Sequence, residues 1–366
     1  MIIVQSTDPV GSPLRRDIER QPDVLEALAA RANGFVETGL RQLQPAAGGR
    51  LYVTGCGDGY FAACAAAAFA EGMGLDWRPI HALDMVVSAR RLTPADRVIA
   101  ISMSGNVDRT VEAARAIQAA GVPLVALVNS VDGGRLGTLA AARMSLDIDD
   151  IAPFLCGTAS YSATVLALMA FAAGAAGGRA VPQVEPLLDA QRAALLSCDA
   201  VLPSIALPSG VRLLSAGAER GTVAYGAAKL VELSRIPCWS ADLEEFAHSQ
   251  YWSMPCTDLV VVVATDPAIA RYADESCGAL AELGVATLAV DTSIGPVPRA
   301  THRITLPACD KTLASLVTAL PMQLLAAELA RRSGLDPDTR AHLKADVARF
   351  RVSRMLTRRS LLGTGA

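Results

Sequence analysis

Short apolar runs recur along this chain, each closing on a turn and most followed by an alanine-rich stretch of helical spacing. The first is Arg50-Leu-Tyr-Val-Thr-Gly-Cys-Gly, with a helix expected over 60–72. A second strand-like run covers 77–82. A third, Arg97-Val-Ile-Ala-Ile-Ser-Met-Ser-Gly, leads into a helix over 106–120 with Val111, Ala114 and Ile117 on one face. Pro123-Leu-Val-Ala-Leu-Val-Asn then reads as a buried strand. The pattern restarts at Val211-Arg-Leu-Leu-Ser-Ala-Gly-Ala, which runs into a helix near Val223. Leu259-Val-Val-Val-Val-Ala-Thr precedes a helix after Pro267, and Val285-Ala-Thr-Leu-Ala-Val is the next strand. Strands that are apolar nearly throughout, alternating with helices, belong to a parallel sheet covered on both faces. The expected fold is α/β: two tandem doubly wound parallel-sheet domains, with a helical N-terminal arm and C-terminal tail. The expected extents are 1–45 for the arm, 46–180 for the first domain, 181–204 for a linking helix, 205–330 for the second domain and 331–366 for the tail. The similar order of the two domains points to an ancient duplication.

Composition narrows the class. Of 366 residues, 52% are hydrophobic and 4% aromatic, enough for sizeable cores packed by small aliphatic side chains, and disorder is excluded. A net charge of −3 and no long basic run give nucleic-acid binding no electrostatic support. Eight scattered cysteines form no CxxC pair, so no metal, redox motif or cofactor is expected, and the thiols read as reduced and cytoplasmic. The N-terminus lacks the basic-then-apolar order of a signal peptide. Residues 151–178 carry no charge, yet Pro153, Tyr161 and many small residues read as a buried core helix rather than a membrane span. Thr357-Arg-Arg-Ser-Leu-Leu-Gly reads as a basic tail.

In open parallel sheets, ligands sit beyond the carboxyl ends of strands, against helix N-termini. Ser102-Met-Ser-Gly-Asn, between a buried strand and a helix, offers hydroxyl and N–H donors to a phosphate or to sugar oxygens. Capping of the helix by Ser104 is the competing explanation. Gly55-Cys-Gly-Asp-Gly is a similar turn.

Together these stretches resemble the SIS (sugar isomerase) family, and within it the isomerase half of glucosamine-6-phosphate synthase. Leu14-Arg-Arg-Asp-Ile-Glu-Arg-Gln-Pro resembles that family's KEIxEQP, Gly55-Cys-Gly-Asp-Gly-Tyr its CGTSYH, and Ser102-Met-Ser-Gly-Asn-Val-Asp-Arg-Thr its SQSGETADT. Cys156-Gly-Thr-Ala-Ser-Tyr resembles GVASTK, and Gly226-Ala-Ala-Lys-Leu-Val-Glu resembles GALKLKE. Gly334-Leu-Asp-Pro-Asp-Thr-Arg-Ala-His-Leu-Lys resembles GTDVDQPRNLAK with one residue fewer. The six stretches fall in order over nearly the whole chain.

The resemblance implies a flavodoxin-like fold for each domain and assigns roles by position. Glu232 matches the carboxylate that moves a proton between C1 and C2. His248, sixteen residues later as in the family, matches the ring-opening histidine, although its surroundings match the family's GELKHGP only in part. Lys229, one helical turn before Glu232, would hold the carboxylate or meet an enediolate's charge. Lys344 matches a tail lysine expected to bond a substrate carbonyl or hold its hydroxyls. The chain has 30 Arg but only three Lys, and two of these lysines fall at motif positions, where Lys alone can release its proton or form a Schiff base. Substrate contacts are expected at Cys56, Gly57, Asp58, Gly59, Ser102, Met103, Ser104, Asn106, Thr110 and Ser160. His81, His302 and His342 read as structural.

The chain also departs from the pattern. Gly59 and Asp58 replace a Ser and a Thr, Met103 replaces a Gln, Val107 replaces a phosphate-contacting Thr, and Arg109 replaces an Asp. A thinner phosphate cradle, and less reliance on a terminal phosphate, are expected. The family's glutaminase domain has no counterpart in the sequence, so glutamine-dependent amide transfer is not expected. The resemblance implies an aldose–ketose isomerase, or an amino-sugar deaminase or deglycase, working by ring opening and C1–C2 proton transfer on a sugar or sugar phosphate. The alternatives are a non-catalytic sugar sensor, or a synthase subunit using ammonia from a separate glutaminase. The expected partners are a sugar or amino-sugar substrate and a second copy, in a homodimer whose His248 loop serves the neighbouring site. Neither nucleic acid nor membrane is expected to bind.

Overall fold

The computed structural model describes residues 11–130, 132–178 and 183–357. Residues 1–10 of the expected arm and the basic stretch beyond Thr357 lie outside the described residues. In chain order the first half contains α1 (Pro13–Glu19), α2 (Gln21–Ala29), α3 (Ala32–Gln42), β1 (Leu51–Gly55), α4 (Asp58–Ala65), α5 (Ala67–Gly72), β2 (Trp77–His81), α6 (Ala82–Ser88), β3 (Arg97–Ile101), α7 (Asp108–Ala119), β4 (Leu124–Val128), α8 (Gly134–Gly137), β5 (Ala142–Ser145) and α9 (Ala159–Ala175). There follow α10 (Glu185–Val201), β6 (Val211–Ser215), α11 (Arg220–Ser234), β7 (Cys238–Asp242), α12 (Leu243–His248), β8 (Leu259–Ala264), α13 (Pro267–Glu282), β9 (Ala286–Thr292), β10 (His302–Leu306), α14 (Ser315–Arg332), α15 (Ala341–Ala345) and α16 (Val347–Thr357).

The strands form two five-stranded sheets, ordered β2-β1-β3-β4-β5 and β10-β9-β8-β6-β7. Every pairing within them is parallel. Read from the β7 edge, the second order repeats the first, so the doubly wound α/β fold occurs twice. The described chain divides into two compact units. One holds the second sheet and comprises residues 11–23, 150–159 and 183–341; the other holds the first sheet and comprises 24–149, 160–178 and 342–357.

The central strands are apolar because both of their faces are covered. In the first sheet Val98, Ala100, Leu124, Ala126 and Val128 pack against Met85 of α6 and Val111 and Ile117 of α7. In the second sheet Val260, Val262 and Ala289 pack against Phe246 of α12 and Ala273, Cys277 and Leu280 of α13. Each fully buried Val or Leu contributes about 1.5–3 kcal/mol. The uncharged stretch at 151–178 supplies α9, and the residues of this helix are buried apart from partly buried Ser160. Among the described residues no helix is long and apolar enough to cross a membrane.

Two local features differ from the sequence pattern. The single helix expected over 60–72 is two, α4 and α5, meeting at Ala66. Strands β5, β7 and β10 lie where no apolar run predicts them. All three are sheet edges and largely half-exposed, so they carry mixed sequences such as Ala-Arg-Met-Ser.

Candidate active site

The first sheet's strand order reverses between β1 and β3, where a doubly wound sheet opens a crevice at its carboxyl edge. The turn after β3 is built tightly. Ser102 Oγ accepts the N–H of Val107 at 3.4 Å, and Ser104 Oγ accepts that of Asn106 at 3.2 Å. Ser104 therefore closes its own turn and does not cap α7, whose N-terminus has no side-chain cap. Asn106 donates its amide to the Ser104 carbonyl (2.8 Å), while its Oδ1 accepts from the backbone N–H (3.2 Å) and Nε (3.3 Å) of Arg135. Arg135 Nη2 donates to the Asn106 carbonyl and to Asp108 Oδ1, the latter at 2.6 Å. The Leu136 N–H donates to the Gly105 carbonyl at 2.9 Å, so the turn after β4 is fastened onto the turn after β3. Gly105 makes this contact possible: its φ is +66°, and a Cβ there would lie 2.0 Å from the Gly133 carbonyl oxygen.

Other expected contacts gather around this turn. Thr110, fully buried on α7, donates to Cys56 Sγ at 3.7 Å and so ties the turn after β1 to the turn after β3. Met103 turns its sulfur to the Thr164 hydroxyl of α9 (3.9 Å), one turn on from Ser160, which is the second residue of that helix. Gly57 precedes α4, and Asp58 is that helix's first residue, partly buried. A Cβ on Gly59 would lie 3.0 Å from Ile101 Cγ2, which leaves little room for the hydroxyl side chain found there in the resembling pattern. Arg109 pairs with Glu112 on its own helix, so its charge is matched. His81 ends β2 and stacks on Tyr60 with ring centroids 3.5 Å apart. Burial, with the charge and hydrogen bond of Cys64, pushes the Tyr60 phenol up to about 12.

In the unit holding the second sheet, α11 carries Lys229 and Glu232 on one face. Lys229 Nζ donates to Glu232 Oε2 at 2.8 Å, with the Lys229 side chain almost entirely buried. The other oxygen, Oε1, accepts from Arg340 Nη1. Arg340 also donates from Nε to the Phe154 carbonyl at 2.8 Å and rests 4.3 Å from the Phe154 ring centroid. Phe154 and Arg340 both adopt left-handed backbone, φ +66° and +49°, which non-glycine residues enter at a cost of about 1–3 kcal/mol each and which clusters at ligand clamps. A buried polar chain steadies α11. Gln21 donates to Gln323 (2.6 Å), Gln323 to the Tyr225 hydroxyl (3.1 Å), and that hydroxyl to the Gly157 carbonyl (2.7 Å). In the N-terminal motif, Asp17 accepts from the Thr158 hydroxyl and from the Ala159 N–H (3.1 Å) and so caps α9.

His248 does not join Glu232 among the described residues. It ends α12 with its side chain 69% exposed and bonds Glu244 Oε1 at 2.9 Å. Hydrogen bonds from Tyr272 and then His248 hold the Glu244 carboxyl below its usual range. Lys344 lies exposed on α15, in the unit of the first sheet. Among the described residues no group of three or more His, Cys, Asp or Glu gathers as a metal site.

The region from 46 to 176 matches the family described as "SIS domain". Residues 46–176 are a SIS domain. The chain is also homologous to the SIS region of glutamine–fructose-6-phosphate aminotransferase (isomerizing); it is 25% identical to the Gloeobacter violaceus protein over 370 residues, 91% of this chain and 58% of that one. The chain spans about half the length of the curated relatives it matches, 45% and 58%. Two solved structures share the fold. Glucosamine-6-phosphate deaminase from Thermotoga maritima has a TM-score of 0.74 at 18% identity, covering 89% of this chain and 97% of that one. Tagatose-6-phosphate ketose/aldose isomerase from Escherichia coli has a TM-score of 0.72 at 19% identity, covering 91% and 97%.

Two residues escaped the sequence reading. Arg340 lies inside the stretch resembling GTDVDQPRNLAK, at that pattern's Arg, and that position was the signal that could have found it. Arg135 of the SIS domain has a fainter signal, the Gly133-Gly134 pair before it, which marks a tight turn but does not say where the side chain reaches.

Proposed function

We propose that this protein is a sugar-handling enzyme of the SIS class, an aldose–ketose isomerase or an amino-sugar deaminase or deglycase acting on a phosphorylated sugar. The observation that carries this reading is the Glu232 carboxylate held between Lys229 and Arg340. In the proposed reaction Glu232 takes the proton from the carbon beside the carbonyl or imine and returns it to the neighbouring carbon. The negative charge that develops on oxygen between these steps is met by the two cations beside the carboxylate. His248 opens the sugar ring, Lys344 bonds the carbonyl oxygen or hydroxyls, and the SIS-domain turn takes the substrate's anionic end. The second sheet, with its repeated strand order, is a second SIS domain in this reading, with the proposed extents 46–180 and 205–330. The proposed form is a cytoplasmic homodimer in which His248 serves the neighbouring copy.

Glu232→Gln keeps the shape and removes the base. Solvent exchange of the substrate's C1 or C2 hydrogen in D₂O, followed by NMR, is expected to slow on the order of 10²–10⁴-fold. Exchange at the wild-type rate would remove Glu232 from the reaction. A non-catalytic sugar sensor is the second reading, and one observation favours it: both Glu232 oxygens are engaged by cations, as they would be in a purely structural ion-pair cluster. Saturable sugar binding without any exchange would decide for the sensor.

A further inference from the structure

The expected thinning of the phosphate cradle left the turn after β3 short of donors, with Met103, Val107 and Gly59 where a Gln, a Thr and a Ser stand in the resembling pattern. The fold brings a different donor to the same place. We infer that Arg135 is the specificity-determining cation of the SIS domain, and that it holds the phosphate of a sugar phosphate at the turn 102–107. The inference rests on the reading that this turn takes the substrate's anionic end.

The turn holds unspent donors. Ser102 and Ser104 each use the hydroxyl oxygen to accept a backbone N–H, and among the described residues neither hydroxyl proton goes to a protein acceptor. Helix α7, twelve residues long, opens without a side-chain cap, so its first turn points N–H groups at the same turn. Arg135 comes from the loop after β4, twenty-nine residues beyond Asn106. Its Nε and Nη2 are tied to Asn106 and Asp108, which fixes the plane of the guanidinium. Among the described residues Nη1 has no protein acceptor, and the side chain is 49% exposed. A guanidinium held on one side with its other nitrogen open suits a tetrahedral oxyanion. Preorganisation matters here, because the Gly105–Gly133 contact and the Leu136 N–H bond fasten the two turns together. Arg109, the other cation nearby, is matched by Glu112.

Asp108 makes the inference separable from a purely structural role. It draws on the charge of Arg135 at 2.6 Å, so removing its charge should strengthen anion binding, whereas a buttress would only weaken. The test is calorimetric titration of wild type, Arg135→Ala, Arg135→Gln and Asp108→Asn with fructose 6-phosphate, fructose and inorganic phosphate, at two salt concentrations. The wild type should bind fructose 6-phosphate more tightly than fructose. Arg135→Ala should weaken fructose 6-phosphate and phosphate about 10- to 100-fold, the scale of one lost hydrogen bond to a charged group, and change fructose less than threefold. Arg135→Gln, which keeps a donor toward Asn106, should show the same selective loss if Arg135→Ala fails to fold. Asp108→Asn should tighten fructose 6-phosphate severalfold.

Equal losses for both sugars would make Arg135 a brace and overturn the inference. Unchanged binding in both arginine variants, or a wild type indifferent to the phosphate, would overturn it as well. Proton exchange tests the enzyme reading separately. Phosphate-selective binding through Arg135 without C1–C2 exchange would sink the catalytic reading alone, and exchange that ignores Arg135 would sink this inference alone.

Discussion

The two sheets repeat one strand order yet furnish their carboxyl edges differently. After the first sheet's leading strand, β1, the acid at the helix start is Asp58, partly buried. After the second sheet's leading strand, β6, it is Glu219, fully buried and bonded by Thr265 and Thr318. The SIS domain's turn 102–107 is shaped by backbone: glycine contacts, closed Ser turns and an uncapped helix, with Arg135 strapped across. The candidate site of the unit holding the second sheet is shaped by side chains, with Glu232 between Lys229 and Arg340. Topology therefore repeats the carboxyl-edge crevice, and what lines each candidate site comes from a handful of local choices.

That contrast can be broken at the backbone first, where the effect is largest. Gly105→Ala places a Cβ against the Gly133 carbonyl in a left-handed residue, and should cost about 2–4 kcal/mol of stability. Chemical denaturation measures it; a cost below about 0.5 kcal/mol, the scale of an ordinary surface change, would mean that the two turns are not fastened together. The side-chain half breaks at Arg340. Arg340→Ala removes the donor on Glu232 Oε1 and is expected to lower kcat about 10- to 100-fold, from one charge-assisted hydrogen bond. Arg340→Lys should not restore it, because a lysine cannot reach Glu232 and the Phe154 carbonyl in one plane. Full rescue by Lys would reduce Arg340 to a generic positive charge.

How much of this was legible follows the same division. The central strands announced themselves, since Leu259-Val-Val-Val-Val-Ala must be covered on both faces to be so apolar. The edges β5, β7 and β10 did not, because an edge strand half in water need not be apolar. Lys229 and Glu232 were readable as a pair from their spacing of three on a helix, and the bond between them is as expected. Arg340 and Arg135 were not singled out, because each acts across the chain: 108 residues separate Arg340 from Glu232, and 29 separate Arg135 from Asn106. Spacing rules for a single helix or strand carry no information over such separations. Asp17 is the converse case: it is part of a motif read as characteristic of the family, and its bonds to Thr158 and Ala159 cap α9.

The smallest expected effect concerns Glu219, the buried counterpart of Asp58. Burial pushes its carboxyl above the usual range, and the hydroxyl bonds of Thr318 and Thr265 pull the other way without cancelling the shift. A folded value above the unfolded one, about 4.3 for Glu, means that folding takes up a proton. The stabilisation from that proton is complete below the unfolded value and is lost as pH rises through the folded value. The slope reaches at most about 1.4 kcal/mol per pH unit for one group. Glu219→Gln keeps the size of the side chain and leaves both threonine hydroxyls a carbonyl or amide to bond, but it cannot ionise. Urea denaturation from pH 5 to pH 8 should therefore show wild type losing stability relative to the variant as pH rises, with the gap smallest at the acid end. Parallel profiles for wild type and Glu219→Gln would show that the Glu219 carboxyl titrates alike in the folded and unfolded chain, and the difference in burial between the two acids would then have no electrostatic consequence.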